Sequence, residues 1–572
     1  MRIKFSFLAL SSLGGLVFGS PSGSTYYNPI LPGWHSDPSC TVVGDTFYCI
    51  SSTFISFPGL PIYASKDLIN WKLASHAWNR DSQLPGVSWN TTGQMSGMYA
   101  ATIRHHDGVF YVICEYIAGR SDGGSLGVLY KSTDPFNNTA WSDPVTFRPT
   151  GIDPDLFWDD DGKVYVATEG THLTEFNLDT GAMTPAISIW NGTGARNPEG
   201  PHIYKKDGWY YLMIAEGGTE VNHTVTIARS HDIKGPYESY SGNPILTARG
   251  TDDYFQTVGH ADLFQDQKGN WWGVALATRS GPEWKVYPMG RETVLYPVTW
   301  EEGQWPVLEK VHGSMKGWPL PPANRNVPGL GPFNSDPDVY DFTDGKTTIP
   351  ANLVYWRVPK ANAFTPTPKG LQVIPSRANL TGIPSQIELS GQRGLAFLSR
   401  RQTHTLFDFT VDLASKPQQI EREAGVTIFL TQYNHADLGV VRLAADASSK
   451  LFLRLRFQAT NTAPQPPTLI AIPDAWSNGA IRLRLQAANE THYTFSASSA
   501  SAPDKPIVVG TASALLVSGG SGPFTGSLVG IYATCNGAGS GVDCPAGGEA
   551  LFQRWRYTGT AQQVSATEFI PA

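Results

Sequence analysis

Charge is scarce in this chain. Of its 572 residues only 16% are Asp, Glu, Lys or Arg, and the formal net charge is -7. No basic face is available for a nucleic acid or an anionic membrane, which argues against both as partners. Cysteine is scarcer still: there are five, with no Cys/His cluster at metal-ligand spacing. A P-loop and a dinucleotide glycine motif after a strand are both missing, so no cofactor is required by any motif. Helical periodicity is absent throughout, and no apolar run after the N-terminal leader is long enough to span a bilayer. What is plentiful is glycine (58), proline (42) and aromatic residues (12%), a composition suited to an all-β protein.

The leader itself has a recognisable layout. Arg2 and Lys4 precede an apolar run from Phe5 to Phe18, and the small residues Gly19 and Ser20 follow. At about fourteen residues the run is short for a membrane span and reads as a secretory signal peptide, residues 1–20. The expected location is therefore secreted and extracellular, where disulfides form. A two-residue turn at Gly44-Asp45 would set Cys40 opposite Cys49 in a hairpin. Cys535 and Cys544 flank a glycine-rich loop and make a second candidate pair, which leaves Cys114 as a buried thiol in a strand. Asn-x-Ser/Thr triplets at Asn90, Asn137, Asn191, Asn222, Asn379 and Asn489 are candidate glycan sites.

One hairpin pattern recurs through the first three hundred residues. A turn pair (Gly44-Asp45, Asp107-Gly108, Asp161-Gly162, Asp207-Gly208, Lys268-Gly269) is followed three residues on by a large aromatic: Tyr48, Tyr111, Tyr165, Tyr211 or Trp272. Eleven or twelve residues before those aromatics stand Asp37, Tyr99 or Ala100, Asp153, Glu199 and His260. Five such hairpins predict a five-bladed β-propeller over residues 26–315, with the leading residue of each innermost strand turned to the axis. Three carboxylates and a histidine would then meet at one place. A Pro/Gly-rich linker (316–340) follows. Residues 341–572 change texture, with strict alternation in Leu451–Phe457 and Ile481–Gln486 and shorter strands at Phe407–Val411 and Val426–Leu430. They predict a β-sandwich.

Carboxylates in one cleft, without metal-ligand spacing or a nucleophile motif, suit glycosidic bond hydrolysis, which needs one protonated and one ionised carboxyl group. A third carboxylate nearby would keep the acid protonated. Taken singly, Asp37 before Pro38 is an ordinary turn cap and His260 an ordinary core histidine. Asp155 shares a strand face with Asp153, and Glu169 and Glu216 fit structural or rim positions. The five-fold register is what sets Asp37, Asp153, Glu199 and His260 apart.

Several blocks give this pattern a relative. Asn28–Ser39 (NPILPGWHSDPS), Ser51–Phe54, Ser65–Trp71, Ile152–Phe157, Pro198–His202, Gly259–Asp262 and Gly290–Thr293 together resemble glycoside hydrolase family 43, in order and across the whole first domain. The resemblance implies an inverting enzyme with Asp37 as general base, Glu199 as general acid and Asp153 as the carboxylate that tunes and orients the acid. It also implies that Arg291 stands beside the acid and the sugar hydroxyls. His260 would contact the acid network or, through water, a structural calcium ion near the axis. Phe54 would line the terminal-sugar pocket. At Tyr99 this chain reads Met98-Tyr-Ala-Ala101, where many family β-xylosidases carry Trp before Ala-Pro. With the Phe54–Pro61 block and the sandwich, that looks closer to fungal arabinofuranosidases acting on arabinoxylan, some of which act on doubly substituted xylose. Trp34 and Trp89 are candidates for a groove or for core packing. The expected activity is exo-acting α-L-arabinofuranosidase on the plant cell-wall polysaccharide arabinoxylan, the alternatives being a β-xylosidase on xylo-oligosaccharides and a non-catalytic polysaccharide-binding propeller.

Overall fold

A computed structural model describes residues 23–118, 124–343, 348–383, 394–445, 448–460, 465–476, 478–518, 524–541 and 543–572. The leader expected at 1–20 lies outside the described residues. The first domain is a five-bladed propeller whose blades run outwards from the axis in chain order. Their innermost strands are Ser39–Val43, Thr102–His106, Asp155–Trp158, Glu199–Lys206 and Phe255–Gln265, each paired antiparallel with the strand that follows its turn. The inner strands are buried near the axis and more open towards their turns, and the blade-to-blade packing explains the aromatics. Tyr211 and Trp272 are wholly buried between blades, and Tyr48 and Tyr165 are nearly so.

The ring is drawn shut by the chain ends of the domain. Ser24–Tyr27 pairs antiparallel with Ser314–Gly317, and the Tyr26 hydroxyl and the Asn28 amide both donate to the Leu295 carbonyl of blade 5. The Pro/Gly-rich stretch after it is laid along the outer edge of blade 1, where Leu330, Gly331 and Asn334 donate backbone N–H groups to Ala74, Leu73 and Trp71. Cys40 and Cys49 are register partners with a Cα–Cα distance of 4.2 Å and are bonded, as are Cys535 and Cys544, while Cys114 is a buried thiol.

The second domain is a β-sandwich of a nine-stranded and an eight-stranded sheet. Its first strand is Asp338–Tyr340, and its core holds the alternate residues Ile481, Leu483 and Leu485 with Phe407, Phe409, Val426, Ile428, Leu453 and Leu455. The basic face of the strand Ser448–Gln458 does not stay in solvent. Arg454 and Arg456 are drawn into ion pairs with the buried Glu423 and Asp437 on neighbouring strands. The eight-stranded sheet takes its last strand, Ser56–Phe57, from blade 1 of the propeller, paired with Val354–Trp356. Trp34, Phe54 and Ile55 share a core with Trp356, Phe397, Phe429 and Leu528, so the two domains are packed as one body at the site.

Candidate active site

Four of the five blades bend the backbone where the inner strand comes to the axis. Asp37, Asp153 and His260 have φ of 54°, 60° and 47°, and Gly200, just after Glu199, has 58°. Left-handed backbone at a non-glycine residue costs about 1 kcal/mol or more and persists where surrounding structure enforces it. In blades 4 and 5 the register also shifts, between Glu199 and His202 and on both sides of Gly259. Such bulges re-aim side chains at the rim of a sheet. At Gly200 the geometry needs glycine: an added Cβ would lie 3.0 Å from the His260 ring.

Asp37 is buried and fully engaged. Arg291 donates from Nη1 to its Oδ1 (3.0 Å) and from Nη2 to its Oδ2 (3.3 Å), and Ser52 donates to Oδ2 (2.5 Å). Burial opposes its charge, but Arg291, His260 and the Ser52 hydroxyl outweigh it and hold the carboxyl below the ordinary carboxylate range. Asp153 accepts the Gly200 N–H at 3.0 Å and donates its own N–H to Glu115 Oε2 at 3.1 Å. Burial, then the charges of Glu199, Asp37 and Glu115, push its carboxyl well up. Glu199 is half-buried, and among the described residues its carboxyl takes no hydrogen bond. Burial and the charges of Asp37 and Glu169 raise it to about 7 against the pull of Arg291. Asp153 and Glu199 thus form a pair that retains a proton at neutral pH while Asp37 is ionised. His260 Nδ1 lies 4.0 Å from Asp37 and 3.8 Å from Asp153, and burial lowers it to about 4, so the ring is neutral between them.

The other predicted residues find definite places. Arg291 gives its fork to Asp37, with Thr219 (2.9 Å) and the Phe524 carbonyl (3.2 Å) as further acceptors, and its charge also reaches Glu199. Phe54 is held by reciprocal backbone bonds to Met98 (2.7 and 2.9 Å) and packs edge-on to Tyr99 at 5.1 Å. Trp34 is fully buried, stacked on Phe54 at 5.9 Å, and so supports the pocket rather than forming a groove. Trp89 is half-buried against the core of blades 1 and 2. Glu216 is buried and structural, accepting from Thr193 and Thr226. Asp155 pairs with Arg104 and His202 one layer deeper.

Three partners escaped the sequence reading. Ser52 lay within a quoted block without a role, and Glu115 sits in mid-strand where nothing distinguishes it. Phe524 comes from the sandwich: it stacks on Phe54 at 5.9 Å with an interplanar angle of 11° and lies 5.3 Å from the Arg291 guanidinium carbon. Tyr99 and Phe524, half-buried, present their rings beside the carboxyl groups and are backed by the buried Phe54.

The residues around His260 do not fit an ion held by protein ligands. Calcium takes six to eight oxygen ligands. Both Asp37 oxygens already accept hydrogen bonds, Asp153 Oδ2 accepts from Gly200, and among the described residues no group of three or more His, Cys, Asp or Glu side chains is placed to hold a metal.

Residues 26–306 match the family model "Glycosyl hydrolases family 43", and 340–558 match "Beta xylosidase C-terminal Concanavalin A-like domain". The chain is 34% identical over 525 residues to the non-reducing end alpha-L-arabinofuranosidase BoGH43B of Bacteroides ovatus, covering 90% of this chain and 92% of that one. Among solved structures, the Bacteroides ovatus "Xyloglucan PUL GH43B" aligns with a TM-score of 0.78 at 31% identity (93% and 98% covered). A xylan beta-1,4-xylosidase from Bacillus halodurans aligns with a TM-score of 0.79 at 28% identity (93% and 99% covered).

Proposed function

The chain belongs to glycosyl hydrolase family 43 and is a glycosidase, and on that premise we propose a secreted, exo-acting, inverting α-L-arabinofuranosidase that trims arabinofuranosyl side chains from arabinoxylan, those on doubly substituted xylose included. The observation that carries the chemistry is the split between carboxyl groups of one pocket: Asp37 is ionised against Arg291 while the Asp153–Glu199 pair keeps a proton. Asp37 accepts a proton from the attacking water, and Arg291 and Ser52 fix its oxygens. Glu199 donates its proton to the leaving glycosidic oxygen, its carboxyl taking no hydrogen bond among the described residues. Asp153, pinned by the Gly200 N–H, keeps the acid protonated and its strand in place. Inversion then requires room for one water between base and sugar, with base and acid roughly 6.5–9.5 Å apart.

The aromatic residues support exo action, since Phe524 and Tyr99, backed by the buried Phe54, set rigid rings beside the carboxyl groups. Similarity along nearly the whole chain to an arabinofuranosidase supports the choice of sugar, as does Tyr99 in place of a Trp-Ala-Pro block. A second reading, β-xylosidase, is favoured by the alignment with the Bacillus halodurans enzyme. Product analysis on wheat arabinoxylan, on xylo-oligosaccharides and on arabinosylated xyloglucan separates them. Arabinose from the first substrate with little xylose from the second supports the proposal. Xylose from the oligosaccharides would replace it with the second reading, and arabinose from xyloglucan alone would move the polysaccharide. Proton NMR of the first-formed sugar reports inversion directly.

A further inference from the structure

Below the catalytic residues, each of the five inner strands sends one more polar side chain to the axis: Ser39, Arg104, Asp155, His202 and Asp262. Ser39, Asp155 and Asp262 stand two residues after Asp37, Asp153 and His260, and His202 stands just past the bulge that follows Glu199. Arg104 of blade 2 touches all the others. Its Nη1 donates to Ser39 Oγ (3.1 Å) and Asp262 Oδ2 (2.8 Å). Its Nη2 donates to Asp155 Oδ2 (2.9 Å) and Asp262 Oδ1 (3.3 Å) and meets His202 Nδ1 at 3.0 Å. Ser39 Oγ and Tyr204 OH, each at 2.8 Å, also donate to Asp262, as do the N–H groups of Cys40 (3.1 Å) and Leu263 (3.0 Å). Asp155 and Asp262 are almost wholly buried. Two buried carboxylates on different blades repel each other unless a cation lies between them, and a planar guanidinium supplies both the charge and a fork of donors.

We propose that Arg104 is a resident cation of the propeller axis: it holds the strands two residues beyond Asp37, Asp153 and His260 and so positions the catalytic groups without a bound divalent ion. It is a positioning residue and touches no substrate. The proposal rests on the glycosidase reading but not on which sugar is cleaved, so its assay uses whichever aryl glycoside the enzyme hydrolyses. An enzyme that cleaves only xylosides would overturn the arabinofuranosidase reading and leave this one standing.

The first arm uses the wild-type enzyme, stripped of metal by dialysis against EDTA. Its kcat/KM should stay within about twofold, its Tm should not move, and millimolar Ca2+ should change neither. Loss of activity or of Tm on stripping, restored by Ca2+, overturns the proposal. The second arm compares variants. Arg104→Met should lower kcat by about 100-fold, the scale of a misplacement near 1 Å, with KM changed by less than about threefold because the sugar contacts remain. Millimolar guanidinium should restore part of that kcat. Arg104→Lys, which keeps the charge and loses the fork, should fold and fall between the two. A folded Arg104→Lys or Arg104→Met with wild-type kcat overturns the proposal, and so does a folded Arg104→Met in which guanidinium restores nothing. If Arg104→Met does not fold, Arg104→Lys and the metal-stripped wild type decide it.

Discussion

Asp37 and Glu199 are carboxyl groups at one axis, yet their surroundings drive them apart. A bidentate arginine and a serine hydroxyl favour the charged form of Asp37, whereas Glu199 has burial and like charges around it and, among the described residues, no hydrogen-bond donor on its carboxyl. On the proposed mechanism, activity needs Asp37 ionised and Glu199 protonated. As pH rises through about 7 the acid's proton is lost, so kcat/KM should fall there. The acid limb should lie below the ordinary carboxylate range because Asp37 is held down. A pH–rate profile checks both limbs, and an activity still rising at pH 8 would count against Glu199. Glu199→Gln should cut kcat on polysaccharide by about 10²–10⁴-fold and recover on aryl glycosides with good leaving groups, which need no proton. Asp37→Asn should stay inactive on both, since water activation is still missing. Gly200→Ala combines a left-handed backbone with a Cβ against the His260 ring, and it should lose most activity while leaving the rest of the blade folded, as circular dichroism and kcat would report.

At the scale of strands and turns, the hairpins were the legible part. Turn pairs such as Asp161-Gly162 and the aromatics three residues on encode a local geometry, and local geometry can be read from neighbours in the chain. That register located Asp37, Asp153 and Glu199 at strand starts and His260 within the inner strand of blade 5, at its second register shift. Arg104 was not legible: two residues into an inner strand, between Ile103 and His105, it resembles any polar residue, and only closure of the ring brings Ser39, Asp155, His202 and Asp262 to it. The bond from Arg291 to Asp37 was not legible for the same reason, since the two are distant in sequence and the fork could have served either carboxyl. The Cys40–Cys49 link, by contrast, followed from a two-residue turn alone. It joins strands nine residues apart in sequence, and Cys40 N also donates to Asp262 at 3.1 Å. Replacing both cysteines by alanine should lower stability by about 2–3 kcal/mol through lost loop closure. Denaturant midpoints of the variant and the parent measure this, with activity retained at low denaturant.

For the whole molecule the question is why a propeller that carries Asp37, Asp153 and Glu199 needs a sandwich. Part of the answer is structural. Blade 1 lends Ser56–Phe57 to the sandwich sheet, and Trp34 and Ile55 are buried beside Trp356, Phe397, Phe429 and Leu528. A chain ending near Gly317 would expose that apolar face and should aggregate or express poorly. The rest of the answer is chemical, because Phe524 stacks on Phe54 while its carbonyl accepts from the arginine that orients the base. Phe524→Ala in the intact chain keeps the carbonyl and removes the ring, so it separates the two roles. If the ring is a wall for the sugar, KM should rise about tenfold, in line with losing an aromatic contact of about 1 kcal/mol or more, with kcat and Tm nearly unchanged. A fall in kcat with KM constant would instead place the effect on Arg291 and Asp37, and would make the sandwich part of the base rather than of the pocket.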